Sequence, residues 1–224
     1  MGENGDVTHK YSIDPAFFNL IGNIENKKIY DIGCGNGYID RILFSSNAKK
    51  IIASDISSRL IDIAKSISPA EIEYFVSSGS DFSYFSEASY SSFDLIISNM
   101  AIHYIADLEA LTLGVHKLLK KGGKFVFTVA HPTDDFGLSS TKNINRDEIK
   151  EIVIAYSKPF EQEVAWGDLP LAIFKRSISY YINLINEHGF LLQSFVEIPK
   201  VKEVNGKVVD TKIPGFMGFC FVKQ

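Results

Sequence analysis

Asp31-Ile32-Gly33-Cys34-Gly35-Asn36-Gly37 is the stretch that decides how this chain reads. Before it stands Lys28-Ile29-Tyr30-Asp31-Ile32, a strand-like run, and after it a segment with helical spacing reaches Phe44. Glycine suits such a loop because the turn is tight and a Cβ would keep a ligand away from bare backbone. Asp55 follows 20 positions after Gly35, at the end of the next apolar run. A carboxylate there can accept from both ribose hydroxyls of an adenosine. The bland alternative, a plain βα turn beside a surface Asp, needs both features to fall in register by coincidence.

Outward from the loop, the chain alternates short β-branched or aromatic runs with helical stretches. Lys50–Ser54 reads as the second strand, and Ser57 or Ser58 can cap a helix with Leu60, Ile61, Ala64 and Ile67 on one face. Ile72–Val76 and Phe93–Ser98 are the third and fourth strands. A helix from Asp107 to Lys120 then stops at Gly122-Gly123, and Lys124–Val129 is the fifth strand. Such alternation implies parallel crossovers, hence an α/β fold with a doubly wound, mostly parallel, seven-stranded sheet. From His131 to Lys175 the rhythm breaks, with Pro132, Pro159, Pro170 and the sole Trp, Trp166. A helix over Ser177–Glu187 and strands over Phe190–Ile198 and Gly215–Val222 finish the chain, with Asn205-Gly206 inside a polar connection. The expected division is one domain over residues 1–224: an N-terminal helix or lid at 1–27, a core at 28–130, a cap insertion at 131–175, and a helix with a strand pair at 176–224.

Composition narrows the class. The chain has 224 residues, 46% of them hydrophobic and 22% charged, which is enough for a sizeable core and excludes a disordered chain. The formal net charge is −4 and no basic block stands out, so no nucleic-acid partner is expected. Cys34 and Cys220 are too far apart in sequence to suggest a disulfide framework or a zinc site. No apolar run reaches the roughly 18–20 residues that span a bilayer. With no hydrophobic signal core in Met1–Asp14, these features lead to the expectation of a cytoplasmic protein without a membrane partner.

The dinucleotide fingerprint would put its third glycine at position 38, where this chain has Tyr38. A pyrophosphate also disfavours a carboxylate beside the helix N-terminus that receives it, yet Asp31 stands directly before the loop. A ligand with an adenosine, an ammonium group and no phosphate fits better, which favours S-adenosylmethionine over NAD.

On these residues the chain resembles the class I S-adenosylmethionine-dependent methyltransferases, small-molecule type. Ile29–Gly37 matches that family's first motif and Ile52-Ala53-Ser54-Asp55-Ile56 its second. Ser80-Asp81-Phe82, Phe93–Asn99 with Ala101-Ile102-His103-Tyr104, and Leu118–Phe125 resemble its later motifs. The resemblance implies that Asp31 holds the methionine ammonium of S-adenosyl-L-methionine and that Gly33, Gly35 and Gly37 shape the loop. It also implies that Asp55 binds the ribose, Ile56 packs on the adenine, Asp81 accepts from the adenine amino group, and Phe82 offers its N–H to the ring. Asn99, in the fourth-strand motif, joins the same cofactor-binding set. Downstream, Phe127–Pro132 and Arg176–Gly189-Phe190 resemble a small-molecule subgroup with a His-Pro after the fifth strand.

Methyl transfer needs an aligned acceptor and excluded water, with a general base useful for hydroxyls and ammonium groups. His103, after strand four, and His131, ending strand five, are the candidate catalytic residues; lining the pocket or bonding backbone is the competing role for each. Tyr156 and Trp166 are candidates for lining the acceptor pocket or for a local core. His9 falls in the polar N-terminus with no role assigned. Asn99-Met100-Ala101-Ile102 is not the Asn/Asp-Pro-Pro-Tyr signature used on exocyclic amines of bases. The expectation is methyl transfer to O, N or C of a small organic acceptor, with a non-catalytic cofactor-binding module or partner subunit as the alternative.

Overall fold

The computed structural model describes residues 6–132, 156, 160–166, 169–204 and 206–224. Its main sheet has strands Lys28–Ile32 (β1), Lys50–Asp55 (β2), Glu73–Val76 (β3), Phe93–Asn99 (β4), Leu119–Ala130 (β5), Phe190–Val204 (β8) and Lys207–Lys223 (β9). The order is β3-β2-β1-β4-β5-β9-β8. The strands from β3 to β5 run parallel, and β9 enters antiparallel between β5 and β8. The chain winds outward from β1 to β3, then restarts at β4 on the other side of β1. The crevice at the C-terminal ends of β1 and β4 is therefore the switch point where such sheets bind ligands.

Period-two alternation in β1 sorts its side chains between two cores. Tyr30 and Ile32 join Phe93, Ile96, Phe125, Phe127 and Phe219 on the face covered by helices Leu108–Leu118 (α4) and Ile178–Glu187 (α5). Ile29 joins Ile51, Leu95, Ile97 and Val126 on the other face, under Asp14–Ile21 (α1), Tyr38–Ser45 (α2) and Ser58–Ile67 (α3). Asp31 shares its alternation with Ile29, so its carboxyl faces the α2 side. Of the two candidate caps for α3, the side chain of Ser57 accepts from Leu60 N at 3.3 Å. Asp107 and Ser177 cap α4 and α5 in the same way.

Two sequence expectations are corrected. The helix expected to reach Lys120 ends at Leu118, and β5 begins at once with Leu119. Leu119 is fully buried opposite Phe93; a bulge then carries Lys120 to Gly122 outward before Gly123 is buried again and Lys124 pairs with Leu95. The polar stretch expected to connect the last two strands is itself strand. Val204 pairs with Lys207 in one long hairpin, with Gly206 at φ +74°. Within 131–175, Phe160–Trp166 (β6) and Leu169–Lys175 (β7) form a separate antiparallel pair. β7 lies against the short turn Ile102–Tyr104 that follows β4. The side chain of Trp166 lies outside the described residues, and Tyr156 is half-buried.

The N-terminal segment docks on the sheet. Phe17 and Ile21 are buried in the α2-side core, while Tyr11, in the segment expected as an N-terminal helix or lid, is exposed at 51%.

Candidate functional site

The glycine loop leaves β1 with Gly33 at φ +77° and Gly35 at φ +59°, conformations that residues with a Cβ rarely adopt. A Cβ on Gly33 would collide with the Ala101 methyl, so loop and post-β4 segment close on each other only because that atom is missing. A Cβ on Gly35 would meet nothing within 4 Å, so this backbone borders open space that a ligand can approach. Gly37 packs its bare Cα against the Tyr74 ring and starts α2.

Asp55 meets the loop from β2. Its Oδ2 accepts from Gly35 N and its Oδ1 from Ser57 N, both at 2.9 Å. The acidic residue thus ties the loop to the start of α3 while remaining partly exposed. Ile56, beside it, is 73% exposed, more than any other large apolar side chain among the described residues. Asp81 is exposed on the loop after β3, its Oδ1 accepting from Ser83 N at 2.9 Å. The Phe82 ring packs on Gly114 of α4 and lines a groove of about 410 Å³ with Ser83, Leu113 and Lys117.

Asp31 is buried, and no N–H or O–H of the chain donates to its Oδ1. The same holds for both oxygens of Asp40, fully buried on α2. Burial, then the neighbouring Asp40, hold the Asp31 carboxyl well above the usual carboxylate range. Burial likewise pushes Asp40 up to about 7. Cys34, buried in the loop beside both carboxyls, has its thiol pushed up by burial and stays protonated, which removes it as a nucleophile.

Along the crevice, a polar network joins four distant parts of the chain. Tyr38 Oη, at the start of α2, donates to Asp14 Oδ1 at 2.8 Å and lies 2.9 Å from His9 Nδ1. His9 Nδ1 is 3.2 Å from Asp14 Oδ1. Asn99, the last residue of β4, donates its Nδ2 to Asp14 Oδ1 at 3.3 Å and accepts at Oδ1 from the Thr128 hydroxyl of β5. Met100 follows at φ +58°, held by Met100 N donating to Thr128 O at 3.0 Å. Residues without glycine's freedom are seldom kept in that conformation, and such strain gathers at functional edges. Sequence reading named Asn99 but left His9, Asp14, Tyr38 and Thr128 unassigned. Tyr38 was noticed only as the residue standing where a third glycine would be.

The two candidate histidines are not neighbours in role. His103 is buried in the turn after β4, and burial first, then Lys175 and Arg176, lower its pKa to about 3. It is therefore neutral at working pH and a poor holder of protons. Arg176 fixes this region by donating Nη2 to the carbonyls of Ile105 and Ala106, each at 2.7 Å. His131, buried at the end of β5, donates its backbone N–H to Gly215 O at 2.8 Å. Its Nε2 lies 3.2 Å from Glu197 Oε1 on β8. Among the described residues no group of His, Cys, Asp and Glu side chains could hold a metal ion, and no helix is long and apolar enough to cross a membrane.

A doubly wound sheet with a glycine loop at its switch point, an acid on β2 bonded to that loop and a buried acid with a donor-less oxygen on β1 makes a site that an adenosine cofactor carrying a cation fits. The structure fits S-adenosyl-L-methionine: Gly35 borders open space, Asp31 Oδ1 lacks a donor, and Ile56 lacks a cover. Residues 30–127 match the family described as a methyltransferase domain. An uncharacterized protein of Haemophilus influenzae is 24% identical over 193 residues, covering 82% of this chain and 74% of that one. An uncharacterized methyltransferase of Schizosaccharomyces pombe is 30% identical over 140 residues, but the match spans only 59% of this chain and 48% of that protein. The crystal structure of an S-adenosylmethionine dependent methyltransferase from Mesorhizobium loti superposes with a TM-score of 0.75 at 21% identity, covering 93% of this chain and 96% of that one. Residues 30–127 are thus similar to a methyltransferase domain, and the chain shares the fold of S-adenosylmethionine-dependent methyltransferases.

Proposed function

We propose that this chain is an S-adenosylmethionine-dependent methyltransferase that acts on O, N or C of a small organic acceptor, held at the C-terminal ends of β4 and β5. The observation that carries the reading is the position of the β6–β7 pair. It lies in a long insertion after β5, and its β7 strand packs on the Ile102–Tyr104 turn, beside the edge where the glycine loop touches Ala101. Long insertions at such an edge serve as lids or binding loops, and a lid of this kind suits an acceptor small enough to enclose.

Bound cofactor supplies an electrophilic methyl on a sulfonium, so the chemistry asks the protein for position and dryness more than for covalent help. Asp31 would hold the ammonium end, the Gly33–Gly37 loop the methionine backbone, and Asp55 the ribose. Ile56, Asp81 and Phe82 would bound the adenine. Asn99 cannot rotate freely, because Asp14 and Thr128 hold opposite ends of its amide. It is thereby a fixed edge against which an acceptor can be aligned. His131 is the better placed of the two histidines for proton transfer, with Glu197 at its Nε2, whereas His103 serves as a neutral wall.

Formation of S-adenosylhomocysteine tests this reading when a cell extract is split into a small-molecule filtrate and a macromolecular retentate. Product with the filtrate is expected. Product with the retentate alone would move the acceptor to a macromolecule, and product with neither would return the chain to a non-catalytic binding module.

A further inference from the structure

The cofactor site contains one carboxyl more than the sequence motif explains. Asp40 sits on the first turn of α2 with neither oxygen exposed and neither accepting a hydrogen bond from the chain. Asp31 Oδ1, from the end of β1, is in the same condition, and the two carboxyls face each other inside the α2-side core. Two adjacent carboxylates with three donor-less oxygens and no bonded cation cannot both be ionised at low cost. One proton between them removes the repulsion and supplies the missing donor.

We propose that Asp31 and Asp40 share a single proton in the cofactor-free protein, and that arrival of the cofactor's ammonium group expels it. The inference rests on the cofactor assignment above and adds Asp40 to the site as a positioning residue that acts through Asp31. The charge balance explains why the pair is tolerated. With one proton, two carboxyls carry one negative charge; with the proton released to the buffer and an ammonium bound, the site again carries one negative charge. The O–H bond of the pair breaks, the proton goes to solvent, and the ammonium N–H groups replace it as donors to Asp31.

Every element packed around the pair is compatible with this exchange. From β2, Asp55 adds negative charge but is bonded to Gly35 N and Ser57 N. From the loop, Cys34 is a neutral thiol. From β3, the Tyr74 phenol faces Asp40 and donates to Ser68 Oγ at 3.2 Å. From α2, Arg41 stabilises Asp40's anion from a distance, while its Nη1 donates to Asn36 O at 2.7 Å. Tyr30 and Tyr38 are phenols held protonated by burial. None of these supplies the Asp31–Asp40 pair with a bonded cation, so the incoming ammonium is the charge that can displace the proton.

Calorimetric titration of the full chain with S-adenosylhomocysteine at pH 6.5, in two buffers of different ionisation enthalpy, counts the protons exchanged. The expected result is release of a substantial fraction of one proton by the wild-type chain. 5′-Methylthioadenosine, which has the nucleoside but no ammonium, should bind with none released. Asp40→Asn should still bind S-adenosylhomocysteine but release none, because the Asn amide donates to Asp31 permanently. Affinity of the wild type should rise with pH by up to about tenfold per unit, while that of Asp40→Asn stays flat. Wild-type binding with no proton exchanged overturns the proposal, whatever the variant does. Equal release with 5′-methylthioadenosine also overturns it, since the ammonium would not be the displacing group. Failure of the wild type to bind S-adenosylhomocysteine at all overturns the cofactor assignment instead, and the proposal with it.

Discussion

The two halves of the crevice are built in opposite ways. On the β1–β2 side, each group lies within one βα unit or the next: Asp31, Gly33, Gly35 and Asp55 span 25 residues, and Asp55 reaches back to Gly35 N at 2.9 Å. On the β4–β5 side, His9, Asp14, Tyr38, Asn99 and Thr128 come from four separated stretches and meet only when the sheet is complete. The first half gains its geometry from local backbone constraints. The second gains it from long-range docking of the N-terminal segment, so its chemistry can vary while the cofactor half stays the same.

Changes on the cofactor side should be the most damaging. Gly33→Ala forces a Cβ into the Ala101 methyl at φ +77°. The cost is about 1–2 kcal/mol for the left-handed backbone plus about 1–3 kcal/mol for overpacking. Chemical denaturation should show that loss, and S-adenosylhomocysteine binding should fall with it. A variant of wild-type stability would mean that the loop and the Ala101 segment separate easily.

Next in size, Asp55→Ala removes the carboxylate that holds Gly35 N and that is proposed to accept from the ribose. Losing such charge-assisted hydrogen bonds costs on the order of 1.5–3 kcal/mol, roughly a 10- to 150-fold weaker complex. Calorimetry with S-adenosylhomocysteine checks it, and an unchanged dissociation constant would show the ribose held elsewhere.

His103 sharpens the contrast through pH. Its folded pKa is lowered from 6.5 to about 3, so the unfolded chain binds more protons in that interval. Stability should therefore fall as pH drops below 6.5, by at most about 1.4 kcal/mol per unit from this group. His103→Gln should flatten that part of the acid-denaturation curve. An unaltered curve would mean that His103 is not the buried neutral group described.

The smallest effect on the cofactor is expected from Asp14→Asn. It breaks the charged centre of the β4–β5 network and should cost about 1–3 kcal/mol of stability while leaving S-adenosylhomocysteine binding within roughly threefold. A loss as large as that of Asp55→Ala would erase the distinction between the two halves.

This contrast also explains what could be read before folding. The loop, the acid after β2 and the parallel order followed from spacing, because glycine positions and period-two runs act over a few residues. A serine cap for α3, at Ser57 or Ser58, was legible for the same reason. The β8–β9 hairpin beyond Ile198 was not: its residues are mostly polar and exposed, and backbone pairing such as Lys202 with Val209 leaves no apolar alternation to detect. Nor was the role of His9, since a histidine in a polar N-terminus gives no sign that Tyr38 and Asp14 will enclose it. Asp40 falls in the first turn of a helix, where acids are common, and only its burial against Asp31 distinguishes it.

The central claim is that the β1–β2 half is built for an adenosine carrying a positive charge and no phosphate. Parallel calorimetric titrations of the full chain with S-adenosylhomocysteine and with NAD test it most directly. The account predicts one equivalent of S-adenosylhomocysteine bound, with no heat of binding from NAD at the same concentration. Saturable NAD binding without S-adenosylhomocysteine binding would contradict it.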